Sequence, residues 1–321
     1  TLISGLQQVE YASSVSGNRY KQFIPLLIGL AQDGDGYPHD QILSGLTPLP
    51  SQMALGATWK TEDSQMAGFA LGSDLAALGV NLLIGPSLDV LDSPIQEGGD
   101  DLNVRSFGGD PFWVGEMGRS FIKGIHEGSA GRVSVFSKSF PGRGAADRSL
   151  DLEVATVRKS LEQLKQIELA PFFAVTNNPD SKENTDGLFV SHIRYQGFQG
   201  NIRATTKPVS LDSSALIQIM ALPEFAIWRE SGGLIMSDSL GSQALRRFSD
   251  PSLQTFDAIQ TARSAFMAGN DLLYVDSFSG TVDENSFDAI TSTLEFFKQR
   301  YNLDPAFADR VNQSVLMILL L

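Results

Sequence analysis

The sequence predicts an α/β fold of the TIM-type (β/α)8 barrel class, with room for irregularity, and three features of the chain predict it. Short apolar runs alternate with amphipathic segments, and strands alternating with helices imply a parallel sheet covered by helices. The chain has 321 residues, 42% of them hydrophobic, enough for one large core and the size at which barrels form as single domains. The apolar runs end on their C-terminal side in polar residues able to do chemistry, which is the end where barrel enzymes assemble their sites. An open doubly wound sheet also satisfies the alternation; length and the number of strand candidates favour the barrel.

Taken in order, residues 24–30, 81–84, 133–136, 187–190, 233–236 and 272–275 read as short buried strands, with 171–175 and 225–228 as weaker candidates to complete eight. Between them, Trp113, Met117, Phe121 and Ile125 recur every four residues. Val154, Val157, Leu161 and Leu164 recur every three or four, as do Phe287, Ile290, Leu294 and Phe297. Each set therefore lies on one helical face. The last stretch puts Phe307, Val311 and Val315 on one face of a closing helix. The whole chain, 1–321, reads as one domain, with a barrel core over about 24–280 and closing helices over 281–321.

The strand ends carry Gln32-Asp33, Ser87-Leu88-Asp89, Ser137-Lys138, Ser191-His192, Ser237-Asp238 and Asp276. Net charge is −13, which repels phosphate backbones and argues against nucleic acid as a partner. The longest apolar run, 315–321, is far short of the roughly 18 residues a membrane span needs. There is no cysteine, so disulfides, thiol catalysis and thiolate metal sites are excluded. Gly142-x-Gly144 lacks the third glycine of a dinucleotide loop, and no paired-histidine metal pattern or Gly-x-Ser-x-Gly elbow occurs. Asp33-Gly-Asp35-Gly resembles the start of a calcium loop, but Tyr37 stands where an oxygen ligand is needed. No metal and no cofactor are therefore expected. The chain starts at Thr1 rather than Met, which together with the lack of cysteine tilts the reading toward a processed or trimmed extracytoplasmic protein. Nothing in the sequence sets an oligomeric state.

Several segments carry a resemblance. They are 47–57 (TPLPSQMALGA), 78–90 (LGVNLLIGPSLDV), 105–111 (RSFGGDP), 138–144 (KSFPGRG), 168–172 (ELAPF), 208–211 (PVSL) and 236–240 (MSDSL). In this order and spacing the chain resembles glycoside hydrolase family 3, specifically its N-terminal barrel domain and its β-N-acetylhexosaminidase branch. The resemblance implies retaining hydrolysis of β-linked hexose or N-acetylhexosamine, with Asp238 as nucleophile and a carbohydrate as ligand. It also implies that Arg105 and Lys138 hold sugar hydroxyls, that Asp33 replaces a motif Glu among the substrate-binding residues, and that His192 lines the pocket.

The departures gather where the chemistry should be. Against the family's IDQEGG, Ala31 stands for its Asp and Asp35 for a Gly. The KHFPGHG motif has lost both histidines, to Ser139 and Arg143. The acid/base Asp-Ser-His falls on Ser149-Leu150-Asp151, or two residues earlier on Asp147-Arg148-Ser149, and neither contains histidine. Asp147, Asp151 or Glu153 could substitute, because a carboxyl in an apolar pocket can hold its proton near neutral pH. Two readings stay open: a glycosidase with an altered acid/base, and a catalytically degenerate barrel that binds a sugar or a protein.

Overall fold

The computed structural model describes residues 2–16, 23–37, 39–91, 102–178, 181–279 and 285–321. In chain order the elements are α1 (Leu2–Ser16), β1 (Gly29–Ala31), α2 (Gln52–Ala57), α3 (Thr61–Leu78), β2 (Leu82–Ser87), a 3-10 turn (Leu102–Arg105), α4 (Pro111–Gly128), β3 (Ser134–Phe140), β4 (Thr156–Val157), α5 (Leu161–Gln166) and α6 (Ala170–Ala174). There follow β5 (Gly187–Val190), β6 (Arg194–Tyr195), α7 (Gln196–Gln199), a second 3-10 turn (Val209–Leu211), α8 (Ser213–Met220), α9 (Pro223–Glu230), β7 (Leu234–Ser237), α10 (Gln243–Ser249), α11 (Ala258–Ala268), α12 (Ser286–Leu303) and α13 (Pro305–Leu320).

The main sheet is parallel throughout, in the order β1-β2-β3-β5-β7. It extends past β7 through a parallel bridge from Met236 to Leu272. A strand's period of two sends alternate residues to opposite faces. One face carries Leu83, Val135, Leu188, Val190 and Ile235 into the large core beneath the helices. The other carries Leu82, Phe136 and Leu234, with Ile84, Met236 and Leu272, into a separate inner layer. Met317 and Ile318 of α13 close that inner layer. Being buried on both faces, the strands read as unbroken apolar runs, as parallel sheets do.

The helical coat is drawn in tightly at α3 and α4. A Cβ at Gly68 would meet Phe121 O at 2.2 Å, and one at Gly72 would meet Ile125 O at 2.4 Å. From the other side, Gly124 would meet Gln65 O and Gly128 would meet Phe69 O, both at 2.1 Å. The two helices thus touch backbone to backbone, through a Gly-x-x-x-Gly pair on each. Met117, Phe121 and Ile125 are buried from α4, on the face that the four-residue spacing predicts.

Other expectations are corrected. Residues 171–175 and 225–228 are helical, within α6 and α9. Pro171 sits in the first turn of α6, where its missing N–H costs nothing, and Phe225 and Trp228 are buried three apart on one helical face. Val154 to Leu164 do not share a helix. Val157 lies in β4, and α5 starts only after Ser160, whose hydroxyl forms a capping box with Gln163. β1 spans three residues rather than the seven of 24–30. On α12 and α13, Phe307 is buried as expected, but Phe287, Leu294 and Val315 are exposed, and burial falls instead on Ala289, Thr293 and Ser314. The expected boundary between core and closing helices, 280/281, lies outside the described residues.

Candidate active site

Because the strands are parallel, their C-terminal ends share one rim, and the residues there come from distant parts of the chain. Lys138 follows Phe136 on the inner face of β3, and Asp238 continues the inner row Leu234–Met236 just past β7. The register runs Lys138 to Phe189 to Met236 across β3, β5 and β7. Two strand spacings, about 10 Å, separate Lys138 from Met236, and Asp238 lies two residues further along the same row.

Lys138 reaches over β2 toward β1, where its Nζ donates to Asp33 Oδ2 at 2.6 Å. The Asp33 carboxylate is buried, and its Oδ1 accepts no hydrogen bond among the described residues. The loop that presents it is fastened by Asp40, whose carboxylate accepts from the backbone N–H groups of Asp33, Gly34 and Gly36 at 2.6, 3.0 and 2.9 Å. Arg105, also buried, lies with Nε 3.7 Å from Asp35 Oδ2, and His39 Nδ1 meets the same oxygen at 2.7 Å. Asp35, the carboxylate standing where the family motif has glycine, thus draws on Arg105.

Asp238 is half-buried and is held by its own turn: Oδ1 accepts from Ser239 N–H at 2.7 Å, and its backbone N–H donates to Val190 O of β5. Among the described residues no cation forms an ion pair with it. His192 is buried beside it. Burial lowers the imidazole's pKa from its ordinary 6.5, and the nearby Asp238 charge offsets this only in part. The ring is therefore neutral at pH 7. Nε2 faces the carbonyl oxygen of Ser239 at 2.9 Å, so it carries the proton and donates; Nδ1 accepts from Ser210 Oγ at 2.7 Å. His192 braces the turn that carries Asp238. Tyr274 stands on the far side, its phenol pKa raised by burial and by the charges of Asp276 and Asp238.

Between these groups lies a pair that sequence reasoning did not assign. Asp89, fully buried, accepts from Arg143 N at 2.6 Å and Arg143 Nε at 3.2 Å, and from Ser87 Oγ at 2.7 Å. Arg143 had signalled only a lost histidine; its pairing with Asp89 spans 54 residues and left no local pattern. Asp147 stands in the loop after β3. Its Oδ1 accepts from Thr156 N–H at 2.8 Å, and Arg148 and Arg158 pair with it at 3.1 and 3.5 Å. Asp151 is exposed, and its side chain makes no hydrogen bond among the described residues. Glu153 pairs with Arg148 at 2.6 Å. The structure brings Asp33 to Lys138 and His192 to Asp238, and it sets Asp147 among arginines. Among the described residues no cluster of three His, Asp or Glu side chains could hold a metal ion, and no helix is long and apolar enough to cross a membrane.

The family model for the glycosyl hydrolase family 3 N terminal domain matches residues 3–302. A β-hexosaminidase of Neisseria gonorrhoeae is 26% identical over 289 residues, 87% of this chain and 70% of that protein. One of Hydrogenovibrio crunogenus is 23% identical over 253 residues, 77% of this chain and 64% of its own. Among solved structures, a glycoside hydrolase family 3 β-N-acetylglucosaminidase from Paenibacillus sp. superposes with a TM-score of 0.76 at 25% identity, over 99% of this chain and 52% of that one. A β-N-acetylhexosaminidase from Beutenbergia cavernae gives 0.74 at 18% identity, over 98% and 83%. The chain spans about half to two thirds of the length of several of these relatives. The shared fold is the TIM-type barrel, with the parallel sheet as its wall.

Proposed function

The chain belongs to glycosyl hydrolase family 3, through the N-terminal domain of that family, and from this premise we propose that it hydrolyses O-glycosyl bonds of β-linked hexose or N-acetylhexosamine with retention, Asp238 acting as nucleophile. The observation that carries the reading is the inner-face period of β3 and β7, on which Lys138 and Asp238 fall on one face at the C-terminal rim of the sheet. Asp238 has the properties a nucleophile needs: it is oriented by Ser239 N–H, braced by a neutral His192 and not tied up by a cation among the described residues. Its carboxylate oxygen attacks the anomeric carbon as the bond to the aglycone oxygen breaks, and water then cleaves the glycosyl ester. Lys138, held by the buried Asp33 carboxylate, suits sugar hydroxyls on the neighbouring side.

The leaving oxygen must gain a proton as it departs. With no histidine in the loop, with Asp147 accepting from Thr156 and two arginines, and with Asp151 in solvent, assistance to the leaving group is altered. Activated aryl β-glycosides need little such assistance. The expected result is turnover of dinitrophenyl β-N-acetylglucosaminide with a rate that falls steeply as the leaving group becomes more basic, the deficit reaching about 10²–10⁴ for unactivated aglycones. A flat leaving-group dependence would mean an efficient acid is at work.

A second reading, a barrel that binds sugar without turnover, is favoured by one observation: Asp33 and Asp35 already engage Lys138 and Arg105. Measurable sugar binding with no hydrolysis across a panel of activated aryl β-glycosides would establish it in place of the first.

A further inference from the structure

Three segments that follow strand ends, residues 148–158 after β3, 194–204 after β5 and 244–251 after β7, enclose a cavity of about 540 Å3. Its lining holds Arg148, Arg158, Arg194, Arg203 and Arg247 against Glu153. Like charges gathered in one place repel, and in a chain of net charge −13 such a concentration runs against the average of the molecule. The volume falls within the range of small-molecule sites.

The cavity is built rather than incidental. Arg194 is only 9% exposed. Its guanidinium donates to the carbonyls of Thr206, Val154 and Ala204 at 2.6, 3.2 and 2.9 Å and lies over the Phe248 ring, 5.3 Å from its centre. Three of its five N–H groups are thereby used, and among the described residues no carboxylate pairs with it. Burial lowers the Arg194 pKa and the charge of Arg148 adds to this, while the charges of Asp147 and Glu153 offset it only in part, so an incoming anion relieves the remaining cost. Arg148 is fixed by Asp147 and Glu153. Arg203 and Arg247 make no side-chain hydrogen bond or ion pair among the described residues, so their guanidinium groups can turn to a ligand.

The position is informative too. Arg194 lies two residues beyond His192, and α10, which carries Arg247, begins five residues beyond Asp238. We propose that this cavity binds the oxyanion group, phosphate or carboxylate, of an acidic saccharide whose glycosidic bond is presented to the neighbouring rim. The oxyanion site stands on the arginine geometry; the saccharide bearing it rests on the glycosidase reading and deepens it.

The test is calorimetric titration of the whole chain with N-acetylglucosamine, N-acetylglucosamine 6-phosphate, glucuronic acid and inorganic phosphate, repeated with the Arg203→Ala/Arg247→Ala double variant and with Asp238→Asn. Charge-assisted hydrogen bonds predict that an acidic sugar binds about tenfold or more tightly than the neutral one. That advantage should shrink with added salt and vanish in the double variant, while binding of the neutral sugar stays the same. The phosphate and glucuronate arms separate the two oxyanions. If inorganic phosphate alone binds as tightly as the sugar phosphate, the oxyanion site stands and the saccharide is withdrawn. Equal affinity for neutral and acidic sugars, or an advantage that survives in the double variant, overturns the proposal. In Asp238→Asn the anion preference should persist. A chain that prefers acidic sugars but turns over no glycoside contradicts the glycosidase reading and leaves the oxyanion site intact.

Discussion

At the scale of single residues, the strand-end groups depend on one another electrostatically. Lys138 is the cation that lets the Asp33 carboxylate remain buried. Replacing Lys138 by Met leaves that charge unpaired, and such losses cost about 3–5 kcal/mol. Chemical denaturation should show a loss of this size for Lys138→Met and a partial recovery when Asp33→Asn is added; additive losses would mean the pair is not coupled. His192 makes a prediction of opposite chemical character. Its pKa is lowered by burial, so the folded state binds fewer protons than the unfolded one, and stability falls as pH drops below 6.5. For His126, burial pushes the pKa down, but the hydrogen bond and charge of Asp186 outweigh it and leave it raised. Its contribution is present at low pH and is lost as pH rises through that elevated pKa. Between about pH 7.5 and 5, His192→Gln should therefore flatten the acid-side loss of Tm, and His126→Gln should steepen it. Unchanged pH profiles in both variants would show that neither ring is coupled to folding.

At the scale of elements, the α3–α4 contact makes the sharpest demand. A methyl group at Gly68 or Gly124 would lie within about 2 Å of a carbonyl oxygen on the facing helix, and backbone cannot yield as a flexible side chain does. Gly68→Ala or Gly124→Ala should cost about 1–3 kcal/mol, against little or no effect for Gly5→Ala, where nothing lies within 4 Å. Equal stability of all three variants would mean the helices do not meet through these glycines. The same elements show what was legible in the sequence. The runs near 82–84, 134–136, 187–190 and 234–236 were readable because strands covered on both faces are apolar at every position. α4 was readable because its buried face repeats every four residues. Short apolar pieces such as 171–175 were not, since periodicity over five residues cannot tell a strand from a helical turn. The exposed Phe287 and Leu294 show the converse limit: a helical spacing predicts a face, but the fold decides which face is covered.

At the scale of the whole molecule, the barrel gathers residues that are far apart in sequence. Lys138 and Asp33, 105 residues apart, meet at 2.6 Å because β1 and β3 flank β2. The motifs made such candidates visible, since each ends a strand. Their partners were not visible: Asp40 acts through a loop turn with no sequence pattern of its own, and Arg143 and Ser210 act through contacts between segments far apart in the chain. The −13 charge likewise concealed the arginine-lined cavity, which is a local exception to the average. The account as a whole turns on Asp238 as nucleophile, and replacing it by Asn should reduce hydrolysis of an activated aryl β-glycoside by about 10³-fold or more. The most direct measurement traps the covalent intermediate. The protein is incubated with a dinitrophenyl 2-deoxy-2-fluoro-β-glycoside and digested, and its peptides are weighed. The account predicts a fluorosugar ester on the peptide containing Asp238, absent from Asp238→Asn. An adduct on a different carboxylate, or turnover of the activated substrate with no adduct on Asp238, would contradict it.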